Sequence, residues 1–409
     1  MKKKNNMKKG WEVILLKDVC QVFSDGDWIE TKDQSSEGIR LVQTGNIGFG
    51  FFKDKEDKSR YISEETFNRL KCSEILPGDL LVSRLPDPVG KSCIIPDIKV
   101  KMITGVDCTI IRPKEILASE FLRYYQMSNQ YLKDVESGVS GATRQRISRK
   151  NLGLIPIPLP PLPEQQRIVS ILDEAFATIA VAKANAEQNL KNAIELFESY
   201  LQGVFENGNI GWKEKWLGEV FDIGSSKRIM EKDWTVDGVP FYGGKEIVKL
   251  AKYGFVVSNS YISEEKYNEY ASKYDMPRHG DILITARGTI GIGYIVKKGD
   301  KFYYKDGNII SMRAKIPTNP EFILYALKSN GIYDQLRKLT GATVSHLPIE
   351  KAKRLVLMMP NFSDQNTVVE KIQEIEAETK HLESIYQQKS LDLEELKKSV
   401  LQKAFNGEL

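Results

Sequence analysis

The same sequence signals occur twice in this chain of 409 residues, with the second set about 200 residues after the first. Tyr61-Ile-Ser-Glu-Glu65 recurs as Tyr261-Ile-Ser-Glu-Glu265, and Gly141-Ala-Thr143 recurs as Gly341-Ala-Thr343. Solenoid proteins repeat every 20 to 50 residues or so, and this period is far longer. The pattern therefore predicts a duplicated domain, and each copy is expected to perform a similar task.

Further matches keep nearly the same register. They are Leu16-Lys-Asp-Val19 with Leu217-Gly-Glu-Val220, Pro77-Gly-Asp-Leu-Leu-Val-Ser-Arg84 with His279-Gly-Asp-Ile-Leu-Ile-Thr-Ala-Arg287, and Leu201, Gln202 and Phe205 with Leu401, Gln402 and Phe405. Other loops differ, such as Gln43-Thr-Gly-Asn46 and Tyr242-Gly-Gly-Lys245. A shared scaffold with different loops predicts two similar tasks on two different targets.

The first part of each copy has the pattern of an α+β domain of roughly 150 residues. Short runs rich in β-branched residues, bounded by glycine and proline, predict strands. These runs are 40–47, 79–84, 101–113, 281–286, 291–297 and 308–314. Amphipathic patterns predict one helix over 119–133 and another over 320–339.

A long helix is predicted after each α+β domain. A proline-rich stretch, 156–163, predicts a hinge, and residues 164–206 contain no proline. Apolar residues recur there at alternating steps of four and three, and again in 368–404. A helix of about 40 residues spans about 60 Å, and one apolar seam needs a partner helix. We therefore expect the two helices to pair antiparallel, with one domain at each end.

The predicted fold class is accordingly α+β, with two strand-rich globular domains joined by two long antiparallel coiled-coil helices in a pseudo-two-fold internal repeat. The predicted boundaries are 1–155 for the first domain, 156–208 for a central helical region, 209–360 for the second domain and 361–409 for a C-terminal helical region.

Patterns that would indicate an enzyme are missing from the sequence. Val89-Gly-Lys-Ser92 resembles the end of a phosphate-binding loop, but Leu85 stands where that loop needs glycine. The three histidines are too scattered for a metal triad, and the four cysteines form no C-x-x-C pair. No apolar run approaches the length of a membrane span. We expect a cytoplasmic protein without catalytic residues, bound metal or cofactor.

The segment Ser137–Lys150 has the composition of a nucleic-acid-binding loop. It holds four basic residues and no acidic one, and its glycine, serine, threonine and glutamine residues suit contacts to phosphates or base edges. A solvated turn explains this composition equally well. The second copy has Val344 and His346 in place of Arg144 and Arg146. The candidate DNA-binding residues in these segments are Ser140, Thr143, Arg144, Gln145, Arg146, Ser148, Thr343, Ser345 and His346.

A second group of candidates lies on other turns. Arg84 and Lys91, and in the second copy Arg287 and Thr289, follow the Gly-Asp turns; the alternative is a surface ion pair. Thr44, Asn46, Tyr242 and Lys245 lie on glycine-containing loops, where an ordinary turn role is the alternative. The net charge of +4 permits a polyanionic partner.

These residues resemble the specificity subunit of type I restriction-modification systems. The resemblance is carried by Pro77-Gly-Asp-Leu-Leu-Val-Ser-Arg84, by Gly141-Ala-Thr143, by the segment 155–169 with its run of prolines followed by Glu-Gln-Gln, and by repetition of the whole unit. The first-copy run from Pro158 to Ile168 is specific, whereas the second-copy counterpart, 359–366, is degenerate. The resemblance covers nearly the entire chain.

The resemblance implies two target recognition domains, each of which reads one half of a split DNA site with an unread spacer between the halves. It also implies a non-catalytic subunit that assembles with two modification subunits, which methylate adenine, and with restriction subunits. S-adenosylmethionine, ATP and Mg are expected in those partners. The alternatives are a tether with two protein-binding domains on a coiled-coil spacer, and an enzyme with an unrecognised site.

Overall fold

The computed structural model describes residues 8, 10–141, 145–206, 211–340 and 346–409. The chain forms two compact units. Unit 1 comprises Met1–Glu187 and Gln387–Leu409, and unit 2 comprises Gln188–Tyr386. Each unit therefore contains one globular domain together with a part of each long helix.

In unit 1 the strands are Glu12–Leu15, Cys20–Asp25, Ile39–Val42, Arg60–Ile62, Glu74–Ile75, Leu80–Ser83, Ser92–Ile94, Met102–Thr104, Cys108–Pro113, Val139–Ser140, Arg146–Ile147 and Pro156–Leu159. The α-helices are Glu64–Leu70, Ser119–Gln126, Asn129–Ser137, Arg149–Gly153 and the start of Leu162–Glu206, the first long helix. Short 3-10 helices are Leu16–Val19, Thr31–Asp33, Thr44–Asn46 and Glu56–Lys58.

Two four-stranded sheets form the globular part of unit 1. An antiparallel sheet has the order Cys20–Asp25, Cys108–Pro113, Leu80–Ser83, Ser92–Ile94. A mixed sheet has the order Arg60–Ile62, Ile39–Val42, Met102–Thr104, Glu74–Ile75, and its two central strands run parallel. Both central strands of the mixed sheet are almost wholly buried, and their residues are apolar apart from Arg40 and Thr104.

In unit 2 the strands are Lys213–Trp216, Phe221–Gly224, Trp234–Thr235, Val239–Tyr242, Tyr261–Ile262, Ile282–Thr285, Gly293–Ile295, Tyr303–Tyr304, Ile309–Ala314 and Val356–Met359. The α-helices are Leu217–Val220, Gly244–Tyr253, Glu264–Lys273, Pro320–Leu327, Asn330–Thr340, Ile349–Ala352 and the start of Phe362–Asn406, the second long helix. Glu231–Asp233 is a 3-10 helix.

Unit 2 repeats the topology of unit 1. Its antiparallel sheet has the order Phe221–Gly224, Ile309–Ala314, Ile282–Thr285, Gly293–Ile295, and its mixed sheet again holds a parallel pair, Val239–Tyr242 with Tyr303–Tyr304. The units differ in one edge strand of the mixed sheet, which is Glu74–Ile75 beside Met102–Thr104 in unit 1 and Trp234–Thr235 beside Tyr261–Ile262 in unit 2. They also differ in a connecting segment of nearly equal length. Where unit 1 has the 3-10 helices Thr44–Asn46 and Glu56–Lys58, unit 2 has the α-helix Gly244–Tyr253.

The two long helices have the same length, 45 residues each. In unit 1 they run antiparallel, because Arg167 Nη2 donates to the carbonyl oxygen of Leu409 at 2.6 Å whereas Lys183 Nζ pairs with Glu394 Oε1 at 2.5 Å. Leu172 of the first helix and Leu401 of the second share one apolar core with the globular part of unit 1.

Unit 2 contains the other two helix parts, also antiparallel. Leu201 and Phe205 share the core of this unit with Val369 and Ile372. Residues earlier on the first helix, including Glu195, lie beside later residues of the second, Thr379 and Glu383. The end of the first long helix packs against the globular part of unit 2, which follows it in the chain, since Phe205 contacts Phe322. The end of the second long helix packs against the globular part of unit 1, since Phe405 contacts Phe121.

Two sequence-based expectations differ from the structure. Each predicted helix after the strands is a pair of helices, Ser119–Gln126 with Asn129–Ser137 and Pro320–Leu327 with Asn330–Thr340. In the first pair, Ser128 is the N-cap of the second helix, since its Oγ accepts from the backbone N–H of Tyr131 at 3.3 Å. The proline-rich stretch begins with a strand, Pro156–Leu159, which pairs with Glu12–Leu15. Proline suits this two-stranded ladder because such edges leave N–H groups unused.

A buried glutamine anchors the start of each long helix to its globular domain. Gln165 Nε2 donates to the carbonyl oxygens of Pro160 and Ile116, both at 2.8 Å, and its Oε1 accepts from the N–H of Ala118 at 2.9 Å. Gln365 repeats this: Nε2 donates to Pro360 at 3.1 Å, and Oε1 accepts from Asn319 at 2.9 Å. Among the described helices, none combines the length and hydropathy needed to cross a membrane.

Candidate nucleic-acid interface

In unit 1, Arg84 lies under the surface at the end of strand Leu80–Ser83. It is 5% exposed, its N–H donates to the carbonyl oxygen of Asp107 at 2.9 Å, and its guanidinium bonds to the carbonyl oxygen of Val106. Arg84 Nε lies 3.4 Å from Asp25 Oδ1. Burial lowers the pKa of Arg84. These contacts assign Arg84 a supporting position, and a contact to DNA would require it to leave these partners.

The segment after the 142–144 gap joins this site through the backbone. Ile147 N–H donates to the carbonyl oxygen of Arg84 at 3.2 Å. Arg146 Nη2 then lies 3.1 Å from Asp107 Oδ1, and Arg149 Nε lies 3.9 Å from Asp25 Oδ2. The side chains of Arg146 and Arg149 are 42% and 47% exposed, more than those of the two aspartates. The outer layer of this cluster is therefore basic.

A small pocket adjoins the cluster. It has a volume of about 200 Å³ and is lined by Trp28, Gln43, Thr44 and the segment 105–108 among others. Trp28 is 70% exposed. Thr44 and Asp107, the partner of Arg146, thus border one depression that offers an aromatic face, an amide and a hydroxyl, all of which suit nucleotides.

The other candidates in unit 1 have mixed surroundings. Asn46 is used within its own turn, since Oδ1 accepts from Gln43 N–H at 3.0 Å and Nδ2 donates to the carbonyl oxygen of Lys53 at 3.1 Å. Lys91 Nζ donates to the carbonyl oxygen of Asp87 at 3.0 Å, and partial burial, followed by the charge of Lys53, lowers its pKa. Lys91 and Lys53 therefore contribute positive charge to the same part of the surface.

The remaining candidates of the basic segment lie at its two ends. Ser140 is exposed and pairs with Arg146 in a two-stranded ladder, and Gln145 is exposed. Ser148 Oγ accepts from Asn151 N–H at 3.1 Å and caps the helix Arg149–Gly153. Thr143 and Arg144 lie outside the described residues.

In unit 2 the backbone counterpart of Arg84 is Ala286. Ala286 N–H donates to the carbonyl oxygen of Asn308, and Leu347 N–H donates to that of Ala286, both at 2.8 Å. These bonds repeat those that Arg84 makes with Asp107 and Ile147. Arg287 is therefore one position further along. It is exposed, and it forms an isolated β-bridge with His346, which is also exposed.

The charged cluster of unit 1 has no charged counterpart in unit 2 at the equivalent described positions. The backbone register places Ser225, Ala286, Asn308, His346 and Ile349 where unit 1 has Asp25, Arg84, Asp107, Arg146 and Arg149. The scaffold is kept while the chemistry of this face is replaced.

The last candidates of unit 2 divide between core and surface. Tyr242 is 8% exposed and packs against Phe302, with ring centroids 5.0 Å apart, and burial raises its pKa. Lys245 and Thr289 are exposed. Thr343 and Ser345 lie outside the described residues.

Sequence reasoning missed Trp28, Gln43, Asp25, Asp107 and Arg149 at this site. Arg149 stood in the basic segment and could have been included. Asp25 ends strand Cys20–Asp25 and Asp107 precedes strand Cys108–Pro113, and the pairing of these two strands brings the aspartates together. The described residues contain no group of His, Cys, Asp and Glu arranged to hold a metal ion. The four cysteines are free thiols and buried.

The chain matches the family model described as "Type I restriction modification DNA specificity domain" over residues 8–192 and again over 209–391. It is 26% identical over 364 residues to the type I restriction enzyme EcoKI specificity subunit of Escherichia coli K12, covering 83% of this chain and 76% of that one. It is 22% identical over 368 residues to the StySPI specificity subunit of Salmonella potsdam, with the same two coverages of 83% and 76%.

Two solved structures share the fold. One is the HsdS subunit from Thermoanaerobacter tengcongensis, with a TM-score of 0.66 and 20% identity over 100% of this chain and 99% of that one. The other belongs to a study of complex assembly and conformational transition of the type I restriction-modification system, with a TM-score of 0.76 and 19% identity over 99% and 100% of the two chains. The predicted fold class is confirmed, and the chain belongs to the type I restriction-modification DNA specificity family, with one family domain in each copy of its repeat.

Proposed function

We propose that each globular domain reads one half of a split DNA site and that the bases between the halves are not read. The observation that carries this proposal is the pair of equivalent faces with different chemistry. Arg146 and Arg149 over two aspartates in unit 1 correspond to His346 and Ile349 in unit 2. Different donors and acceptors at the same place select different base edges.

Within each domain, basic side chains position the DNA and polar side chains near them read bases. In unit 1, Arg146, Arg149 and Lys91 supply positive charge, and the pocket with Trp28 and Thr44 supplies groups for base contact. In unit 2, Lys245, Arg287, Thr289 and His346 are the exposed candidates. Arg84, Asn46 and Tyr242 support these surfaces from beneath, through the contacts described above.

The chain directs chemistry that its partners perform. In type I systems the specificity subunit is non-catalytic and catalysis lies in partner subunits. The partners proposed here are two modification subunits that methylate adenine with S-adenosylmethionine, and restriction subunits that use ATP and Mg. The complex would act on DNA in the cytoplasm.

The test is to co-express the chain with its modification subunits and to map methylated adenines across the host genome. A split motif with a constant gap is expected, and it would supply both half-sites. Methylation without such a motif would contradict reading by two domains. Failure to assemble or to bind DNA, together with capture of proteins at both domains, would favour the tether.

A further inference from the structure

In one connecting segment of the mixed sheet, unit 2 has an amphipathic helix, Gly244–Tyr253, where unit 1 has two short 3-10 helices. Ile247 and Leu250 bury one face in an apolar cluster with Leu283 and Tyr294. Lys245, Lys249 and Lys252 are exposed. Because they are spaced by four and three residues, these lysines share the face opposite the core. We call this helix the lysine helix.

The positive charge of this face is not neutralised within the described residues. None of the three lysines forms an ion pair there, and Lys252 Nζ lies 5.2 Å from the ring centroid of Tyr253. The acidic residue of the helix, Glu246, faces elsewhere, since its Oε2 accepts from Gly243 N–H at 2.8 Å. The face is therefore a row of cations about 10 Å long, given the helical rise of 1.5 Å per residue.

More lysines flank both ends of the row. A Cβ on Gly254 would lie 3.9 Å from Lys297 Nζ, and a Cβ on Gly243 would lie 3.5 Å from the Cδ of Lys305. Oδ2 of Asp300 accepts from the hydroxyl of Tyr294 at 2.7 Å and from the backbone N–H of Lys297 at 2.8 Å.

The lysine helix begins beside the candidate interface of unit 2. A Cβ on Gly244 would lie 3.8 Å from Cγ2 of Thr285 and 3.9 Å from the carbonyl oxygen of Arg287. At its other end, Tyr253 and Phe255 are 58% and 71% exposed. The row thus runs from the loop that carries Arg287 to a pair of uncovered aromatic rings.

We propose that the lysine helix lies on the sugar-phosphate backbone of the second half-site, where Lys245, Lys249 and Lys252 contact successive phosphates. This inference rests on the proposed function. Charge complementarity selects the occupant: a row of unpaired cations on a rigid helix matches the regular spacing of phosphates on one strand, and each neutralised phosphate releases counterions. Unit 1 would hold its half-site differently, because it lacks the helix.

The test compares two double variants in the complete complex with the modification subunits, using duplex DNA that carries the mapped site. Lys249→Gln with Lys252→Gln removes two charges from the proposed contact. Lys266→Gln with Lys273→Gln is the matched control, since those lysines occupy another surface helix of unit 2 and pair with Glu269 at 3.1 and 2.9 Å. Lys249→Arg with Lys252→Arg keeps the charge.

The measurement is the dissociation constant as a function of salt. Losing two phosphate contacts should lower the slope of log K against log salt by about 2 and weaken binding roughly 30-fold near 0.15 M salt. The control and the arginine variant should retain the wild-type slope. The methylated motif should be unchanged, because phosphate contacts carry no sequence information.

The inference alone would be overturned if the glutamine variant kept the steep slope of the wild-type complex. If the variant kept that slope but lost the modification subunits, the lysine face would be assigned to a protein partner instead of DNA. A wild-type complex that shows no salt-dependent binding would instead contradict the proposed function, and the inference with it.

Discussion

Arg112 and Asp79 form a two-pronged ion pair, with Nε and Nη2 of the arginine each 2.7 Å from one carboxylate oxygen. Asp79 is 2% exposed and also accepts from Leu76 N–H at 2.8 Å. Unit 2 repeats the arrangement with Arg313 and Asp281. The Gly-Asp sequence therefore has the same structural role in both copies: its aspartate stabilises the turn and forms a buried ion pair with an arginine.

Asp79→Asn should destabilise unit 1 by about 3 kcal/mol, because it leaves the guanidinium of Arg112 without its buried partner. The measurement is the midpoint of urea unfolding, followed by a probe in unit 1. Asp97→Asn is the control, since Asp97 pairs with Lys99 at the surface, and no measurable change is expected. Equal shifts of the unfolding midpoint for the two substitutions would show that the buried ion pair stabilises the protein no more than the surface pair does.

Gln165→Met should loosen the junction between the first globular domain and the first long helix. The side chain keeps its size but loses three hydrogen bonds, and the backbone groups of Ile116, Ala118 and Pro160 stay without partners. We expect a loss of about 2 to 4 kcal/mol and faster hydrogen exchange at Ala118. Gln166→Met, at the exposed neighbouring position, should change neither; if it does, helix propensity is the cause.

The four cysteine thiols should not react with a thiol reagent in the native state. Burial raises the pKa of Cys20 and Cys93 to about 12, and that of Cys72 and Cys108 to about 11, from 9.0. At pH 8 a thiol reagent should label no cysteine until denaturant is added and then four per chain. Rapid labelling of native protein would contradict this.

The same shifts make stability depend on pH. Below pH 9 the thiols are protonated in both the folded and the unfolded state, so they do not lower the free energy of unfolding. Above the ordinary value of 9.0 the unfolded chain loses thiol protons while the folded chain keeps them, and stability falls as the pH rises. Cys93→Ala should reduce that fall between pH 9 and 11, measured as the change in Tm.

The spacing between half-sites should follow the length of the long helices. Inserting four residues, about one turn, near Asn189 adds about 6 Å to the first long helix, at the point where it passes from unit 1 to unit 2. The methylated motif should then contain a longer gap between unchanged half-sites. An active complex with the original gap would contradict this spacing hypothesis.

The repeat and the long helices could be predicted from the sequence because both are expressed as local periodicities. The backbone partner of Arg84 could not. By residue type, the equivalent of Arg84 in the second copy is Arg287. By backbone hydrogen bonds it is Ala286, because the second copy has one more residue before that arginine. A one-residue shift changes which face of a strand a side chain occupies, and only the ladder reveals it.

Long-range pairing explains the other differences. The prolines of 156–163 indicated a hinge, but Pro156–Leu159 finds its partner strand about 140 residues earlier in the chain. The break at Ser128 was hidden because the apolar pattern continues through Tyr131 and Val135, both fully buried. The amphipathic pattern of the lysine helix was present in the sequence, although only Lys245 was singled out.

The packing of the helix ends has a consequence for biosynthesis. Leu401 and Ala404 complete the core of unit 1, whereas Leu201 and Phe205, which do the same for unit 2, precede the strands they cover. At about 5 to 20 residues per second, roughly 12 to 50 s separate synthesis of the first domain from synthesis of the residues that close it. During that interval Phe121 and Tyr125 lack their contacts with Phe405. The core of unit 2, which includes Val369 and Ile372, is therefore complete before the core of unit 1. A nonsense mutation near residue 395 would therefore destabilise unit 1 and leave unit 2 folded.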